Sequence, residues 1–576
     1  MGAVPSLSSL PTPGAVPASA GGTCVVRPPS TTRRGVAYAR LVPWALAFAA
    51  FGAAVLAIGP WPVGVFQDDG IYAVLARSLA TGEGYRYLNI PGAPNATHYP
   101  PGYPLLLAAL WRLWPQFPQN VTLFKFANAV LLGGAAALYY RLARARLGMG
   151  ARSAAWSVGL FTACAPVVLL TVMVLSEPMF LGVLAAVLLA SERAAASGRV
   201  RDAVVAGAAA AGLALVRTLG IVVVPAACLV LAGRGRWRAA FALGGTALLL
   251  SLPWQWWVSA HAAEVPPVYL GKYGSYLGWL VEAVGTDGVG FLRDVAWANL
   301  KSLVAQGWAS TATDTLPAAV RNAASIALAF FFGLGMGALA RRGPVVALFL
   351  AFYLSIVVIW PFAPARFTWG VWPLVGVVYG LAVMTVWEWG VARGTPPDDT
   401  IAPGAGARVI NALPAPAFHP ARRLAGGAAL AALAALLTGY AGYNVLGVTR
   451  DWWGVVQGSV ANRARPLAEW VMANTDSSAI LATDDDVLIH LYTGRRAIPN
   501  GAFTPQEHLV AQTPAFAAAS LRRILDTYPV DYVLASTQYG TYAVRGLVQA
   551  QPPRLRVVRV LSSGAVFAPV APEGRR

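Results

Sequence analysis

Long apolar runs separated by short basic clusters make up most of this chain. A helix needs roughly 20 apolar residues to cross the hydrocarbon core of a bilayer. Eleven runs approach that length, at 41–60, 121–140, 153–172, 176–192, 203–218, 219–233, 238–257, 322–340, 344–361, 367–389 and 425–447. The pattern therefore predicts a mainly α fold, a polytopic transmembrane helical bundle.

The arginines between these runs indicate which way the bundle faces. If the N-terminus lies in the cytoplasm, every cytoplasmic loop is basic, as the positive-inside rule expects. These loops contain Arg141, Arg144, Arg146 and Arg152; Arg193, Arg199 and Arg201; Arg234, Arg236 and Arg238; Arg341 and Arg342; and Arg393, Arg408, Arg422 and Arg423. We therefore expect a multi-pass protein of the cytoplasmic (inner) membrane with its C-terminus outside.

The composition agrees with a membrane protein. Hydrophobic residues make up 57% of the 576 residues and charged ones only 12%, whereas soluble chains carry roughly 25% charged residues. A net charge of +19 would suggest nucleic acid for a soluble protein. Membrane topology explains it better here, so we expect no nucleic-acid partner. The three cysteines indicate neither a disulfide framework nor a zinc site.

The chain divides into a tail, a membrane module and a C-terminal domain. Residues 1–40 are rich in Pro, Gly, Ser and Ala and predict a disordered cytoplasmic tail. Residues 41–447 form the membrane module, with outer loops at about 61–120 and 259–321 and a cytoplasmic linker at about 390–424. The outer loops and the third region are expected on the outer side of the membrane.

That third region, 448–576, predicts a small extracytoplasmic α/β domain. Helical patterns at Leu467–Asn474 and Leu521–Tyr528 alternate with apolar, strand-like runs, which is typical of a partly parallel sheet covered by helices. The predicted strands are Ala479–Ala482, Val530–Ala535, Arg556–Leu561 and Ala565–Val570.

Two adjacent carboxylates, Asp68 and Asp69, follow the first apolar run directly. Ionised groups beside a membrane span are costly unless they face water, a cavity or a partner, so they mark a candidate functional site. Ile71, Leu75 and Leu79 then share one helical face, which is typical of a helix lying in the membrane interface. A proline-rich turn, His98-Tyr-Pro-Pro-Gly-Tyr-Pro104, completes the first outer loop.

These motifs resemble those of C-type (GT-C) membrane glycosyltransferases, in particular bacterial relatives of protein O-mannosyltransferases and the lipid A aminoarabinose transferases. Further matches are Leu175-Ser-Glu-Pro178, Leu215-Val-Arg-Thr-Leu-Gly220 and Ala365-Arg-Phe367 with Trp372-Pro-Leu374. The resemblance covers about 40–390. It implies an enzyme that uses a polyprenyl-phosphate-linked sugar, with the first carboxylate of the acidic pair catalytic. The second acidic residue is Asp69 where the family more often has Glu.

The resemblance makes Asp68 the candidate general base that takes the proton of the acceptor, although Asp at this position would also cap a helix. Asp69 is a candidate for a catalytic, orienting or metal-binding role. Arg366 and Arg217 are candidates for the donor phosphate, which suits the planar guanidinium, and snorkelling to the membrane surface is the alternative. His98 could contact the phosphate or the acceptor, or lie at a wet interface.

Other polar and aromatic residues are weaker candidates. Glu177 suits both helix capping and substrate contact. Tyr99 and Tyr103 suit packing better than stacking on a sugar. A divalent metal is an option that the sequence leaves open, with Glu83, His261 and Glu264 completing a site with the acidic pair. Asp484, Asp485 and Asp486 resemble a calcium or sugar site, but a loop and a helix cap explain them better.

We therefore expect an integral membrane glycosyltransferase, a hexosyl or pentosyl transferase. It would move a sugar from a polyprenyl-phosphate donor to an acceptor on the outer side of the membrane, with inversion. The alternatives are a transporter or flippase of lipid-linked sugars, which would need internal symmetry or helices broken at the membrane midplane, and a non-enzymatic cell-envelope scaffold. About eleven spans are more than an anchor requires.

Overall fold

The computed structural model describes residues 33–275, 278, 280–281, 284–285, 288–311, 316–390, 420–502 and 513–570. The described residues from Val42 onwards belong to one compact unit, which is described below, and those up to Leu41 belong to another. The predicted tail lies outside the described residues up to position 32, and a helix begins at Arg33. The predicted cytoplasmic linker lies outside them at 391–419, and a helix begins at Pro420.

Helices account for most of the chain before the C-terminal region. In chain order they are α1 Arg33–Leu56, α2 Asp68–Thr81, α3 Gly102–Leu113, α4 Val121–Ala145, α5 Ala151–Thr162, α6 Ala165–Val172, α7 Glu177–Ser197, α8 Val200–Val216, α9 Val223–Gly233, α10 Trp237–His261, α11 Leu270–Tyr273, α12 Gly290–Ala309, α13 Ala318–Arg342, α14 Pro344–Ile359, α15 Pro364–Trp369, α16 Trp372–Gly390 and α17 Pro420–Thr449. Short 3-10 helices lie at Thr218–Val222, Ala262–Glu264 and Pro267–Tyr269.

A helix lies at each predicted span, which confirms the helical bundle. Within the described residues, five helices are long and apolar enough to cross a membrane, namely α4, α7, α13 and most of α16 and α17. The pair α5 and α6, bent by 52°, is a sixth if it counts as one span. Shorter apolar helices lie at Arg40–Leu56, Thr218–Gly233 and Pro344–Ile359. The helices at the predicted spans 203–218 and 238–257 fall outside both groups.

Glycines allow close contact between neighbouring helices of the bundle. A Cβ atom on Gly207 of α8 would lie 2.4 Å from the carbonyl oxygen of Leu243 on α10. A Cβ atom on Gly335 of α13 would likewise meet the carbonyl oxygen of Val378 on α16, at 2.1 Å. Small residues at helix contacts are typical of membrane bundles, where association depends on tight packing.

Helix α2 differs from the interfacial helix that its amphipathic pattern predicted. Residues 69–76 are all buried, and the helix packs against α3 and against the C-terminal region. Both faces of α2 are thus enclosed by protein. The C-terminal region covers the face that carries the polar and small residues of the pattern. The acidic pair lies at the N-terminal end of this enclosed helix.

The C-terminal region is α/β, as predicted. Its elements are α18 Trp452–Asn474, β1 Ile480–Thr483, α19 Asp486–Thr493, β2 Arg496–Pro499, α20 Pro514–Thr527, β3 Tyr532–Ala535, α21 Gln538–Val548, β4 Leu555–Leu561 and β5 Gly564–Pro569. The sheet order is β2-β1-β3-β5-β4. Strands β2, β1 and β3 are parallel, and β5 pairs antiparallel with both β3 and β4. The sheet is therefore partly parallel.

The C-terminal region shares a hydrophobic core with the outer loops. Ile71 and Tyr103 belong to the same buried cluster as Val487 and Leu491 of α19. Backbone contacts add to it: the amide of Ala497 donates to the carbonyl of Asn89 at 3.0 Å. The sheet therefore lies directly against the loop that carries the acidic pair.

Candidate active site

The loop before α2 is held by the side chain of Asp69. Its carboxylate accepts hydrogen bonds from the amides of Gly64 at 2.7 Å, Val65 at 3.2 Å and Phe66 at 2.9 Å. Asp69 is fully buried, and burial raises the pKa of its carboxyl group to about 6, although these amide bonds oppose the shift. Asp69 is thus placed to orient the loop rather than to contact a substrate.

The same loop ends in a strained turn at Gln67. Its φ of 63° and ψ of −62°, with the Asp68 amide donating to the Phe66 carbonyl at 2.8 Å, form a γ-turn of the rare kind. Such strain persists only where the surroundings impose it, and it clusters at functional sites. The turn places Asp68 as the first residue of α2, where the helix dipole favours an anion.

Asp68 is paired on both of its oxygen atoms. Tyr99 donates its hydroxyl to Oδ1 at 2.7 Å, and Arg366 donates Nη1 to Oδ2 at 2.6 Å. Burial opposes ionisation of Asp68, but the Arg366 charge and these two hydrogen bonds outweigh it and lower its pKa below the ordinary value. The side chain remains 26% exposed. Asp68 is therefore an ionised and accessible carboxylate.

Glu177 joins the two arginines. Its Oε1 atom accepts from Arg366 Nε at 2.9 Å and lies 2.8 Å from Arg217 Nη1. Arg217 also donates to the Ser176 hydroxyl at 3.1 Å, which is 3.0 Å from the hydroxyl of Tyr72. These side chains come from α2, the start of α7, the residue after α8, and α15. The helical bundle thus assembles one network from four distant stretches of chain.

Two polar atoms of this network are left without partners. Arg366 Nη2 and Glu177 Oε2 are buried and have no hydrogen-bond partner among the described residues. Buried polar atoms are nearly always paired, so each exception calls for an explanation such as a missing ligand. The Phe66 ring lies over the Arg366 guanidinium at 5.0 Å and screens it from solvent. Arg366 therefore has an unused N–H donor beside Asp68.

His98 lies beside the network and is neutral. Its Nδ1 atom is 2.6 Å from the carbonyl oxygen of Gly274, an arrangement in which this nitrogen carries the proton. Its ring centre is 4.8 Å from that of Tyr99. Burial lowers the pKa of His98 to about 4. The neutral ring then has a lone pair and no proton on Nε2, so in this arrangement His98 has no N–H donor left for the predicted phosphate contact.

The two tyrosines of the proline-rich turn differ in their surroundings. Tyr99 holds Asp68, as described above. Tyr103 is fully buried, donates to Asn128 Oδ1 at 3.1 Å and packs edge-on against Tyr72. Its ring leaves no exposed face for a sugar, so Tyr103 contributes packing.

The residues considered for a metal site do not assemble. Among the described residues, no group of three or more His, Cys, Asp or Glu side chains could hold a metal ion. His261 and Glu264 pair with each other at 2.5 Å and both contact the Asn95 side chain, while Glu83 accepts from Thr81. Of the acidic pair, Asp69 is occupied by backbone amides, and Asp68 by Tyr99 and Arg366.

The aspartates at 484–486 serve the C-terminal region. Asp484 accepts from the amides of Ser536 and Thr537 and from the Thr537 hydroxyl, at 2.7 to 3.1 Å. Asp485 pairs with Arg463 at 2.6 Å. Asp486 is buried and accepts from the hydroxyl of Tyr273. These bonds agree with the loop interpretation of the sequence, whereas Asp485, the residue before α19, makes no side-chain cap hydrogen bond to that helix.

Sequence reasoning missed Lys125. This residue, 2% exposed, lies in α4 and donates its ammonium group to the carbonyl oxygens of Gly59 at 3.0 Å and Trp61 at 2.8 Å. Lys125 thereby fixes the start of the loop before α2, and Asp69 fixes the end of the same loop. The signal was a charged residue within an apolar run, which is a functional hypothesis by default.

The described residues thus form a polytopic helical bundle with a buried acid–arginine network on the side covered by an α/β region. The crystal structure of ArnT from Cupriavidus metallidurans in the apo state is similar over 93% of this chain and 98% of that one, with a TM-score of 0.50 and 16% identity. This similarity shows that the chain has the GT-C fold. The chain is a multi-pass membrane protein.

Two further structures were compared. ArnT from the same organism bound to undecaprenyl phosphate has a TM-score of 0.48 and 17% identity, over 93% of this chain and 97% of that one. The arabinofuranosyltransferase AftD from Mycobacteria has a TM-score of 0.38 and 15% identity, over 94% of this chain and 40% of that one. No protein-family model and no curated protein sequence matches the chain.

Proposed function

We propose that this protein is a glycosyltransferase that moves a sugar from a polyprenyl-phosphate-linked donor to an acceptor. The reaction would occur on the outer side of the cytoplasmic membrane, with the N-terminus in the cytoplasm and the α/β region outside. The GT-C fold supports the general class. The resemblance of the motifs to those of transferases that use such donors supports the kind of donor, and a hexose or a pentose suits it equally.

The network of Asp68, Arg366, Glu177 and Arg217 is the observation that carries the proposal. A base for the acceptor and a holder for the leaving phosphate must be close together, and here the two touch. Their charges balance in the free protein. An arriving phosphate adds negative charge, and the unpaired Nη2 donor of Arg366 gives it a charge-assisted hydrogen bond.

Donor binding would also activate the base. In the free protein, Arg366 lowers the pKa of Asp68 and so weakens it as a base. A sugar placed between base and leaving group requires Asp68 and Arg366 to separate. When the phosphate binds the guanidinium of Arg366, the Asp68 carboxylate loses the stabilisation that this positive charge provides. The proton affinity of Asp68 then rises. The base thus becomes effective only when the donor is bound.

The chemical step is then a single displacement. The acceptor oxygen attacks the anomeric carbon and gives its proton to Asp68 while the bond between that carbon and the phosphate oxygen breaks. The lipid phosphate leaves with the bonding electrons, held by Arg366 with Arg217. Attack opposite to the departing phosphate inverts the anomeric configuration. Tyr99 keeps Asp68 in one orientation through its hydrogen bond.

Turnover by the purified protein tests the proposal. The full chain is reconstituted in vesicles with radiolabelled polyprenyl-phosphate sugars, and loss of label from the lipid fraction is measured. Asp68→Asn is expected to lower kcat by roughly 10²-fold or more, in the range typical of general-base catalysis, while the variant stays folded. Asp294→Asn, at a carboxylate 58% exposed, is the matched control. Full activity of Asp68→Asn would contradict the assignment, and transport of intact donor without cleavage would favour a flippase.

A further inference from the structure

A cavity lies at the C-terminal end of α2, away from Asp68. It has a volume of about 650 Å³ and is lined by residues of α2, α3, the segment after α3 and α19, including Arg77, Thr81, Trp111, Arg112, Phe117 and Leu491. A helix rises 1.5 Å per residue, so Arg77 and Thr81 are roughly 14 and 20 Å along α2 from Asp68. The cavity is therefore separate from the acid–arginine network.

The charge of this cavity is positive. Two arginines line it, and none of its lining residues is acidic. The acidic side chain of Glu83 contacts the lining, where it accepts a hydrogen bond from Thr81. In the part of the chain that the structure describes, the guanidinium of Arg77 forms no hydrogen bond or ion pair. An arginine without a partner in a cavity suits an anionic group, above all a phosphate.

Arg112 has a structural partner as well as a place in the cavity. It donates to the carbonyl oxygens of Leu79 at 3.0 Å and Ala80 at 3.3 Å, and so closes the C-terminal end of α2. These bonds fix the guanidinium at the cavity wall, which lowers the entropy cost of binding an anion there. The cavity thus presents one guanidinium held in place, that of Arg112, and one without a hydrogen-bond partner, that of Arg77.

The remaining wall is partly aromatic, and the chain leads from it to an apolar helix. The rings of Trp111 and Phe117 are stacked, with centres 5.4 Å apart and an angle of 3° between their planes. Leu113 and Trp114, which lie between them in sequence, are 78% and 38% exposed. The first long apolar helix, α4, begins only seven residues later, at Val121. Exposed Trp and Leu beside a span are typical of the membrane interface.

We propose that this cavity binds the phosphate-bearing headgroup of an anionic membrane lipid. The phosphate would contact Arg77 and Arg112, the headgroup would lie against Phe117 and Trp111, and the acyl chains would pass over Leu113 and Trp114. Binding here would tie the end of α2, and hence the helix that carries Asp68, to the surface of the bilayer. The proposal does not depend on the transferase activity.

Lipid titration of the full-length protein in detergent tests the proposal. Thermal shift and native mass spectrometry measure the binding of phosphatidylglycerol and of zwitterionic phosphatidylcholine. The wild-type protein is expected to prefer phosphatidylglycerol, and Arg77→Gln to weaken that binding roughly tenfold or more, as for the loss of a charge-assisted hydrogen bond. Arg86→Gln, the same change at an exposed arginine of the same outer loop outside the cavity, is expected to leave the affinity unchanged.

Three outcomes would overturn the proposal. The first is equal affinity of the wild-type protein for the two lipids. This measurement needs no variant, so it tests the proposal even if Arg77→Gln fails to fold. An equal loss of lipid affinity in Arg77→Gln and Arg86→Gln would show that the preference arises from the overall charge of the protein and not from the cavity. Inorganic phosphate that binds as tightly as the lipid, and depends on Arg77, would show a phosphate site with no role for the acyl chains.

Discussion

Asp68 and Arg366 are separated by 298 residues in the sequence and form a hydrogen bond of 2.6 Å in the structure. Arg366 also holds Glu177, so a single guanidinium bridges two carboxylates from two different helices. A change at Arg366 therefore affects both the charge balance of the site and its capacity for a phosphate. The two effects can be separated by the choice of substitution.

Arg366→Lys keeps the charge and loses the planar fork. We expect a folded protein whose KM for the donor rises roughly tenfold or more, because a lysine cannot bind two carboxylates and a phosphate at once. Arg341→Lys, at an exposed arginine near the end of α13, is the control. Donor kinetics measure the effect, and an unchanged KM would remove Arg366 from donor binding.

Arg366→Gln removes the charge and leaves Asp68 and Glu177 without their shared partner. Removing one partner of a buried ion pair costs about 3–5 kcal/mol. Because Asp68 is partly exposed, we expect the loss of stability to lie at the lower end of that range. Thermal unfolding in detergent measures it. A stability equal to that of Arg366→Lys would indicate that the carboxylates do not need the positive charge.

Lys125→Met tests whether the loop before α2 must be held at both ends. The change leaves the carbonyl groups of Gly59 and Trp61 without their donor, so we expect a loss of about 1–3 kcal/mol in stability. Displacement of Asp68 by about 1 Å would lower kcat roughly 10²-fold. Lys301→Met, at an exposed lysine, is the control. Wild-type kcat in Lys125→Met would show that the loop keeps its position without this clamp.

His98 is not expected to contribute to the pH dependence of the reaction near neutrality. Its pKa is lowered to about 4 by burial, so it stays neutral between about pH 5.5 and 8, the range in which an unperturbed histidine titrates. The profile of kcat/KM against pH should therefore have the same shape in His98→Asn and in the wild-type protein. Loss of a limb of that profile in the variant would contradict the assignment.

Asp486 should make the α/β region less stable as the pH rises. Burial raises the pKa of its carboxyl group from 3.8 to about 6. Between these values the folded state binds a proton that the unfolded state has lost, so the free energy of unfolding falls as pH rises from about 4 to about 6, by at most about 3 kcal/mol. Asp486→Asn removes this contribution. Relative to the wild-type protein, the variant should gain stability over that interval.

Thermal unfolding at pH 4 and pH 7 checks this prediction. Asp526→Asn, at a carboxylate 57% exposed, controls for the loss of an acidic residue. A difference between Asp486→Asn and the wild-type protein that is constant with pH would show that the carboxyl group of Asp486 has an ordinary pKa in the folded protein.

The length and spacing of apolar runs were enough to predict the bundle, because each span must satisfy its own backbone within the bilayer. The same was true of β1, β3, β4 and β5, whose apolar runs are bounded by turn residues. The sequence did not predict α19, β2 or α21. All three are short, at 8, 4 and 11 residues. The positions of α19 and β2 also depend on contacts with the outer loops, such as the packing of α19 on α2 and the bond between Ala497 and Asn89.

The sequence indicated which residues belong to the site, but not how they are arranged in space. The motif order pointed to Asp68, Glu177, Arg217 and Arg366, but spacing along the chain says nothing of their convergence. The bridging position of Glu177 and the bond from Tyr99 to Asp68 required the structure. Asp69 and Lys125 were visible as charged residues beside or within apolar runs, but the backbone groups that they hold could not be identified from the sequence.

The shared core between the α/β region and the outer loops limits how this protein can be re-engineered. A chimaera that joins this bundle to the C-terminal region of another protein would lose the apolar contacts of Val487 and Leu491 and the backbone bond to Asn89. The turn at Gln67 would then be free to relax. Exchange of specificity between such proteins should therefore succeed only when the first outer loop is transplanted along with the sheet.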